Sequence, residues 1–121
     1  MNRARFALGV FVYLAACTLS FAATGRVECN RVPSKILSRA VPYCIVLPPS
    51  FDTDKTRHFP ILYLLHGLGD NEQFPINSGT WNLVQDLRER GDLKDFLIAT
   101  PDGDRTFYIN SKSGNVRYED F

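Results

Sequence analysis

Three dense apolar runs, separated by polar and turn-rich connections, dominate the chain from residue 24 onward. The first, Val41-Pro42-Tyr43-Cys44-Ile45-Val46-Leu47, reads as a strand and ends at Pro48-Pro49, where ladder donors are lost. The second, Phe59-Pro60-Ile61-Leu62-Tyr63-Leu64-Leu65, shows no alternation, the pattern of a central strand covered on both faces of a parallel sheet. The third, Phe96-Leu97-Ile98-Ala99-Thr100, is stopped by Pro101-Asp102-Gly103. Between the last two runs, Trp81, Val84 and Leu87, joined by Leu83, form one apolar face at helical spacing. Thr80 suits the N-cap of a helix from Trp81 to Arg90, and Gly91 its C′ position.

Ahead of these elements lies a short mixed segment, Gly25 to Pro33, with Val27, Cys29 and Val32 as candidate inward positions. Strand, helix and strand at this spacing predict a parallel crossover unit, preceded by an antiparallel hairpin. The fold class is α/β, with room in 121 residues for one domain at most. Val116 to Phe121 reads as the approach to a further helix.

The first 22 residues follow a different pattern. Two arginines precede an unbroken low-polarity run, Phe6 to Ala16, long enough for a signal-peptide core and too short to span a bilayer. Ser20-Phe21-Ala22 offers small residues for cleavage, giving a signal peptide over 1–22 and an exported domain over 23–121. The alternative is a lipoprotein signal over 1–16, because Leu14-Ala15-Ala16-Cys17 resembles a lipobox in which Cys17 is acylated. Only that second route would attach the protein to a membrane.

Composition then narrows the chemistry. Fourteen Lys and Arg face thirteen Asp and Glu, a net charge of +1, without a basic run, so nucleic-acid binding has no electrostatic footprint. Removing residues 1–22 takes Arg3 and Arg5 and no acid, which turns +1 into −1. It also removes Cys17 and leaves Cys29 and Cys44, an even number for an oxidising compartment. A disulfide across the hairpin and a pair of free buried thiols both satisfy that count. Two cysteines and two histidines without ligand-like spacing argue against a metal, and nothing in the chain calls for a cofactor.

The segment with chemical content is Leu64-Leu65-His66-Gly67-Leu68-Gly69-Asp70-Asn71. A buried strand running into His-Gly-x-Gly delivers a flexible turn at the carboxyl edge of a sheet, where α/β proteins place their sites. Glycines at 67 and 69 let the backbone turn tightly and present amide N–H groups to a substrate oxygen, as an oxyanion hole requires. A glycine turn after any buried strand would look the same, so this motif alone leaves both readings open.

The wider context adds a resemblance. "VLPPSFD", "FPILYLLHGLGDN", Trp81, Phe96-Leu97-Ile98 and "PDG" with Tyr108 together resemble an esterase family of α/β-hydrolases. That family includes feruloyl and acetyl-xylan esterases, S-formylglutathione hydrolases, enterochelin esterases and mycobacterial mycolyltransferases, and the likeness covers residues 27–121. It implies the N-terminal part of an α/β-hydrolase fold, truncated before the nucleophile elbow. The Leu68 backbone N–H matches the family's first oxyanion donor, flanked by Gly67 and Gly69. His66 matches the position that buttresses this loop and is not the catalytic histidine. Trp81 matches an aromatic at the mouth of the acyl pocket, and core packing of a helix start explains it as well; Tyr108 lies in the family's substrate-side loop. Asp70, Asn71 and Glu72 read as a solvated polar turn.

The same resemblance exposes a gap. Serine hydrolysis on this fold needs Gly-x-Ser-x-Gly, then an acid and a histidine. No serine of the chain has that setting: Ser78 follows Ile76-Asn77, and Ser113 follows Ser111-Lys112. The nucleophile is implied on a fifth strand beyond residue 121, with the third strand lying between the fourth and that fifth. Two readings follow. One is an exported serine esterase, acting on plant-polysaccharide or other extracellular esters, of which this is the N-terminal portion. The other is a non-catalytic secreted interaction module or an inactive truncated gene product.

Overall fold

A computed structural model describes residues 24–121; the expected leader over 1–22 and Cys17 lie outside the described residues. The elements run β1 (Arg26–Ser34), β2 (Arg39–Leu47), a 3-10 turn (Pro49–Phe51), β3 (Ile61–Tyr63), α1 (Phe74–Asn77), α2 (Thr80–Glu89) and β4 (Leu97–Pro101). The four strands form one mixed sheet in the order β1-β2-β4-β3. β1 and β2 make an antiparallel hairpin in which Cys29 faces Cys44 in register. β3 and β4 are parallel, joined through α2, so the hairpin and the crossover unit both form.

One sheet face carries the core. Val46 and Ile98 are buried against Val84 of α2, with Val27, Leu64, Trp81 and Phe96 packed around them. Removing each of the three central aliphatics from water contributes on the order of 2 kcal/mol. Arg88 locks the end of α2 to the start of β4: Nη2 donates to the Phe96 carbonyl at 2.6 Å, and the guanidinium lies 5.2 Å over the Phe96 ring. Burial lowers the Arg88 pKa, and the nearby Asp95 carboxylate opposes that shift.

Several local expectations change. Gly79, at φ 77°, caps α2 and Thr80 is its first residue; the Ser78 and Thr80 hydroxyls bond to each other at 2.8 Å. Leu83 is 56% exposed, because α2 turns only its Trp81–Val84 side toward the sheet. Cys29 and Val32 are exposed positions of the edge strand β1, on opposite faces: Cys29 is tied to Cys44, and Val32 lines the groove on the face away from α2. Residues 116–121, read as the approach to a further helix, hold an isolated Asn110–Arg117 bridge and a turn in which Phe121 N–H donates to the Tyr118 carbonyl at 3.3 Å.

The covered-strand pattern of β3 is met on one side only among the described residues. The strand is the other edge of the sheet, and Ile61, Leu62 and Tyr63 are 50%, 50% and 67% exposed. Among the described residues only the β4 side pairs, with Leu64 N–H on the Ala99 carbonyl and Leu97 N–H on the Pro60 carbonyl. On the sheet face away from α2, Ile61 and Tyr63 join Tyr43, Ile45 and Tyr118 around an open apolar groove of ≈ 500 Å³. A fully apolar sequence at an open edge is normally a pairing hazard, and proteins cover or blunt such edges. Among the described residues no helix is long and apolar enough to cross a membrane.

Cys29 and Cys44 are joined as a disulfide with a sequence separation of 15. Closing a loop of that length removes about 3 kcal/mol of conformational freedom from the unfolded chain. Cys29 and Cys44 are therefore expected to resist alkylation in native, unreduced protein, and reductant to lower the urea-unfolding free energy by about that amount. Two freely alkylatable thiols at these positions before reduction would show that the pair is open.

Candidate functional site

The His-Gly-x-Gly segment leaves β3 at the carboxyl edge of the sheet, beside the loop that leaves β4. Gly69 adopts φ 93°, a left-handed conformation that β-carbons disfavour, and Asp70 N–H reaches back to the Gly67 carbonyl at 3.2 Å. His66 is buried at 7% exposure, against the exposed Gly67, Leu68 and Gly69. The turn thus has an anchored start and an open tip.

The histidine's tautomer follows from its partners. A backbone N–H can only donate, so the Gly103 N–H, 3.0 Å from Nε2, makes that nitrogen the acceptor. The ring proton sits on Nδ1 and donates to the Gly67 carbonyl at 2.9 Å. Asp102 Oδ1 lies 3.4 Å from Nε2, a contact that becomes an ion pair only in the doubly protonated ring.

This assignment orients the turn. The Gly67 carbonyl and the Leu68 N–H share one planar, trans peptide, so they point in opposite directions. His66 Nδ1 and the Asp70 N–H hold the carbonyl on the protein side. The Leu68 N–H is therefore turned the other way, and it donates to no acceptor among the described residues. Leu68 itself is 63% exposed.

Beside this turn is a depression of ≈ 180 Å³ lined by Leu65 to Leu68 and by Asp104, Arg105, Phe107 and Tyr108. Tyr108 connects its two walls. The phenol accepts the His66 N–H at 3.2 Å and donates to the Pro101 carbonyl at 3.1 Å. Its ring covers Gly103 so closely that a β-carbon there would lie 2.4 Å from Tyr108 Cζ. Asp104, Phe107 and Tyr108 all adopt positive φ, 52°, 55° and 58°, each costing on the order of 1 kcal/mol for a residue with a side chain. Phe107 is 75% exposed at the rim.

The site residues read from the sequence are thus partly assembled. His66, Gly67 and Leu68 meet Tyr108 at the depression, with Gly69 beyond the tip. Trp81 is elsewhere, packed half-buried against the Val46–Val84–Ile98 core and not lining this hollow. Of the polar trio, Glu72 is held through its carbonyl, 2.9 Å from the hydroxyl of the buried Thr100, and Asn71 caps the Gln73 N–H at 3.0 Å. Asp102, Gly103 and Phe107 also belong to this site, through the His66 ring and the rim of the hollow. The Pro101-Asp102-Gly103 stop placed the first two at a strand end, but nothing local to it points to His66. Among the described residues no group of three His, Cys, Asp or Glu side chains is close enough to hold a metal.

No protein-family model and no curated protein matches the chain in sequence. Solved structures do match its fold. A ferulic acid esterase superposes with a TM-score of 0.74 at 26% identity, over 81% of this chain and 39% of that one. A mutant feruloyl esterase module from Clostridium thermocellum, complexed with sinapinate, gives 0.58 at 22% identity, over 65% of this chain and 27% of the other. An S-formylglutathione hydrolase from Agrobacterium tumefaciens gives 0.59 at 15% identity, over 81% and 39%. The chain resembles esterases of the α/β-hydrolase type, and its four-stranded mixed sheet with helices is a partial version of that fold. It spans 27% to 39% of the length of these structures.

The loop after β4 also has a pH signature. Burial raises the Tyr108 pKa; the His66 N–H bond works against this and the Asp102 carboxylate adds to it. Burial likewise raises that of Tyr118, against the Arg39 charge. Folding thus favours the neutral phenols, and above about pH 10 the unfolded chain loses their protons first. Stability should be unaffected by these groups below about pH 10 and decline above it, as urea titrations from pH 8 to 11 would record. Phenylalanine at both positions should flatten the decline; an unchanged slope would exclude the two tyrosines as its source.

Proposed function

We propose that residues 23–121 are the N-terminal part of an exported serine carboxylic-ester hydrolase, and that they carry its oxyanion turn. The observation that supports this best is the outward Leu68 N–H, unpaired among the described residues, on a turn pinned at the carboxyl edge of an esterase-like sheet. In this reading the leader over 1–22 directs export, or Cys17 carries a lipid. The domain continues to a fifth strand beside β3, which bears Gly-x-Ser-x-Gly and ends in the nucleophile elbow.

The serine Oγ attacks the ester carbonyl carbon while a histidine of the proposed continuation, distinct from His66, takes the hydroxyl proton, and the carbonyl oxygen takes up the negative charge. Leu68 N–H donates to that oxygen, and the amide after the nucleophile supplies the second bond. The C–O bond then breaks, the alcohol leaves with a proton from the histidine, and water releases the acid from the acyl-enzyme. Phe107, broad and exposed beside Leu68, suits an aryl acyl group such as a hydroxycinnamate. Plant-polysaccharide or other extracellular esters fit both that surface and an exported enzyme.

Two measurements test the reading. The 121-residue chain alone should hydrolyse neither p-nitrophenyl acetate nor a feruloyl ester, because it holds no Gly-x-Ser-x-Gly. Saturable turnover blocked by a serine-directed phosphonate would overturn that. When the chain is joined to a continuation bearing the motif, Leu68→Ala should keep most activity, since the donor is backbone. Leu68→Pro, checked for folding by circular dichroism, should lose on the order of 100-fold in kcat. Near-normal turnover in a folded Leu68→Pro enzyme would remove Leu68 as the donor.

A further inference from the structure

Tyr108 lies in the loop that the resemblance places on the substrate side, and both capacities of its hydroxyl are spent on backbone. It accepts from His66 N–H at the end of β3 and donates to the Pro101 carbonyl at the end of β4. These two strand ends are where the turn and its facing loop begin. The ring is fixed as firmly as the hydroxyl. It meets His66 edge-on at 5.5 Å and Tyr118 edge-on at 6.3 Å, and it fills the space that any side chain at Gly103 would need. Consecutive left-handed residues, Phe107 and Tyr108, bring the ring to this place, and such conformations persist only where surrounding contacts over-determine them.

We propose that Tyr108 is a positioning residue, a strut that sets the His66 backbone and through it the direction of the Leu68 N–H. The chain of contacts is short. The phenol holds the His66 amide, the His66 ring holds the Gly67 carbonyl, and that carbonyl shares its peptide plane with the Leu68 N–H. Gly103 serves the same joint from the other side, donating to the His66 ring while leaving room for Tyr108. The strut stands on this geometry, and its consequence for catalysis rests on the esterase reading above. Tyr108 would then act through the His66 backbone, its hydroxyl committed to main-chain groups even though its ring, like Phe107, lines the hollow.

The test uses the full chain, labelled with nitrogen-15, and requires no ester. Tyr108→Phe keeps the ring and deletes the hydroxyl. Exchange of the His66 amide should quicken about tenfold, the equivalent of one hydrogen bond, and the Leu68 amide resonance should move. The amides of Cys44 and Val84 should stay in place. Tyr118→Phe is the control: it also deletes a buried phenol hydroxyl, but one bonded to the Arg39 side chain. His66 exchange and a Leu68 resonance that match the wild type in Tyr108→Phe would overturn the proposal, as would the same changes in Tyr118→Phe.

Should Tyr108→Phe fail to fold, the wild-type chain carries the test. With carbon-13 labelling added, its Leu68 amide nitrogen, detected through the Gly67 carbonyl carbon so that no amide proton is needed, should shift with the midpoint of Tyr108 ionisation, read at the ring carbon that bears the hydroxyl. A Leu68 signal that stays silent through that titration would overturn the strut. Either negative result leaves the oxyanion reading itself to the Leu68→Pro kinetics, so the two can fail separately.

Discussion

The hydrogen bond from the Gly103 amide to His66 Nε2, 3.0 Å long, holds together everything at the candidate site. It joins the ends of two parallel strands, and because its donor is a backbone N–H its direction cannot reverse. That fixes the imidazole proton on Nδ1, the Nδ1 proton fixes the Gly67 carbonyl, and peptide planarity fixes the Leu68 N–H. A chain of obligatory donors and acceptors therefore converts the spacing of β3 and β4 into the orientation of one amide. Preorganisation of this kind is what makes a backbone donor useful in catalysis, since no reorganisation is needed when charge develops.

The sheet behind the joint is strong on one side and open on the other. β4 is buried between β2 and β3, and Thr100, at its centre, is fully enclosed with its hydroxyl between the Cys44 and Glu72 carbonyls. Among the described residues, β3 has a neighbour only on its β4 side and exposes Ile61, Leu62 and Tyr63. The proposed continuation would resolve this asymmetry: a fifth strand beside β3 would pair its free edge, and a following helix would cover the groove around Tyr43 and Tyr118. The disulfide across the β1–β2 hairpin secures the edge farthest from β3.

Much of this was legible in the residues. The run Val41–Leu47 became β2 with Val41, Cys44, Val46 and Leu47 buried, and the helix-spaced Trp81 and Val84 found the sheet. His-Gly-x-Gly fell at a strand end because Gly69 supplies a left-handed turn there. Periodicity could not reveal which strand is central: the unbroken apolar run of β3 reads as a covered strand, and its cover is a matter of what lies beside it. Nor could local pattern separate Tyr108 from its neighbours. Its partners, His66 and Pro101, are set by the parallel pairing of β3 with β4, a long-range fact that no spacing within 101–108 encodes. The same holds for Gly103, whose lack of a side chain matters only because an aromatic ring from five residues on folds back over it. Trp81 shows the converse, an aromatic with a family role in view that the helix uses for packing.

The joint can be read directly. In the nitrogen-15-labelled chain, a through-hydrogen-bond nitrogen–nitrogen coupling should link the Gly103 amide to His66 Nε2, with the imidazole proton on Nδ1. A ring protonated on Nε2, with no coupling to Gly103, would contradict the account, because the Gly67 carbonyl would then keep only the Asp70 N–H and the link from the β3–β4 joint to the Leu68 N–H would be broken.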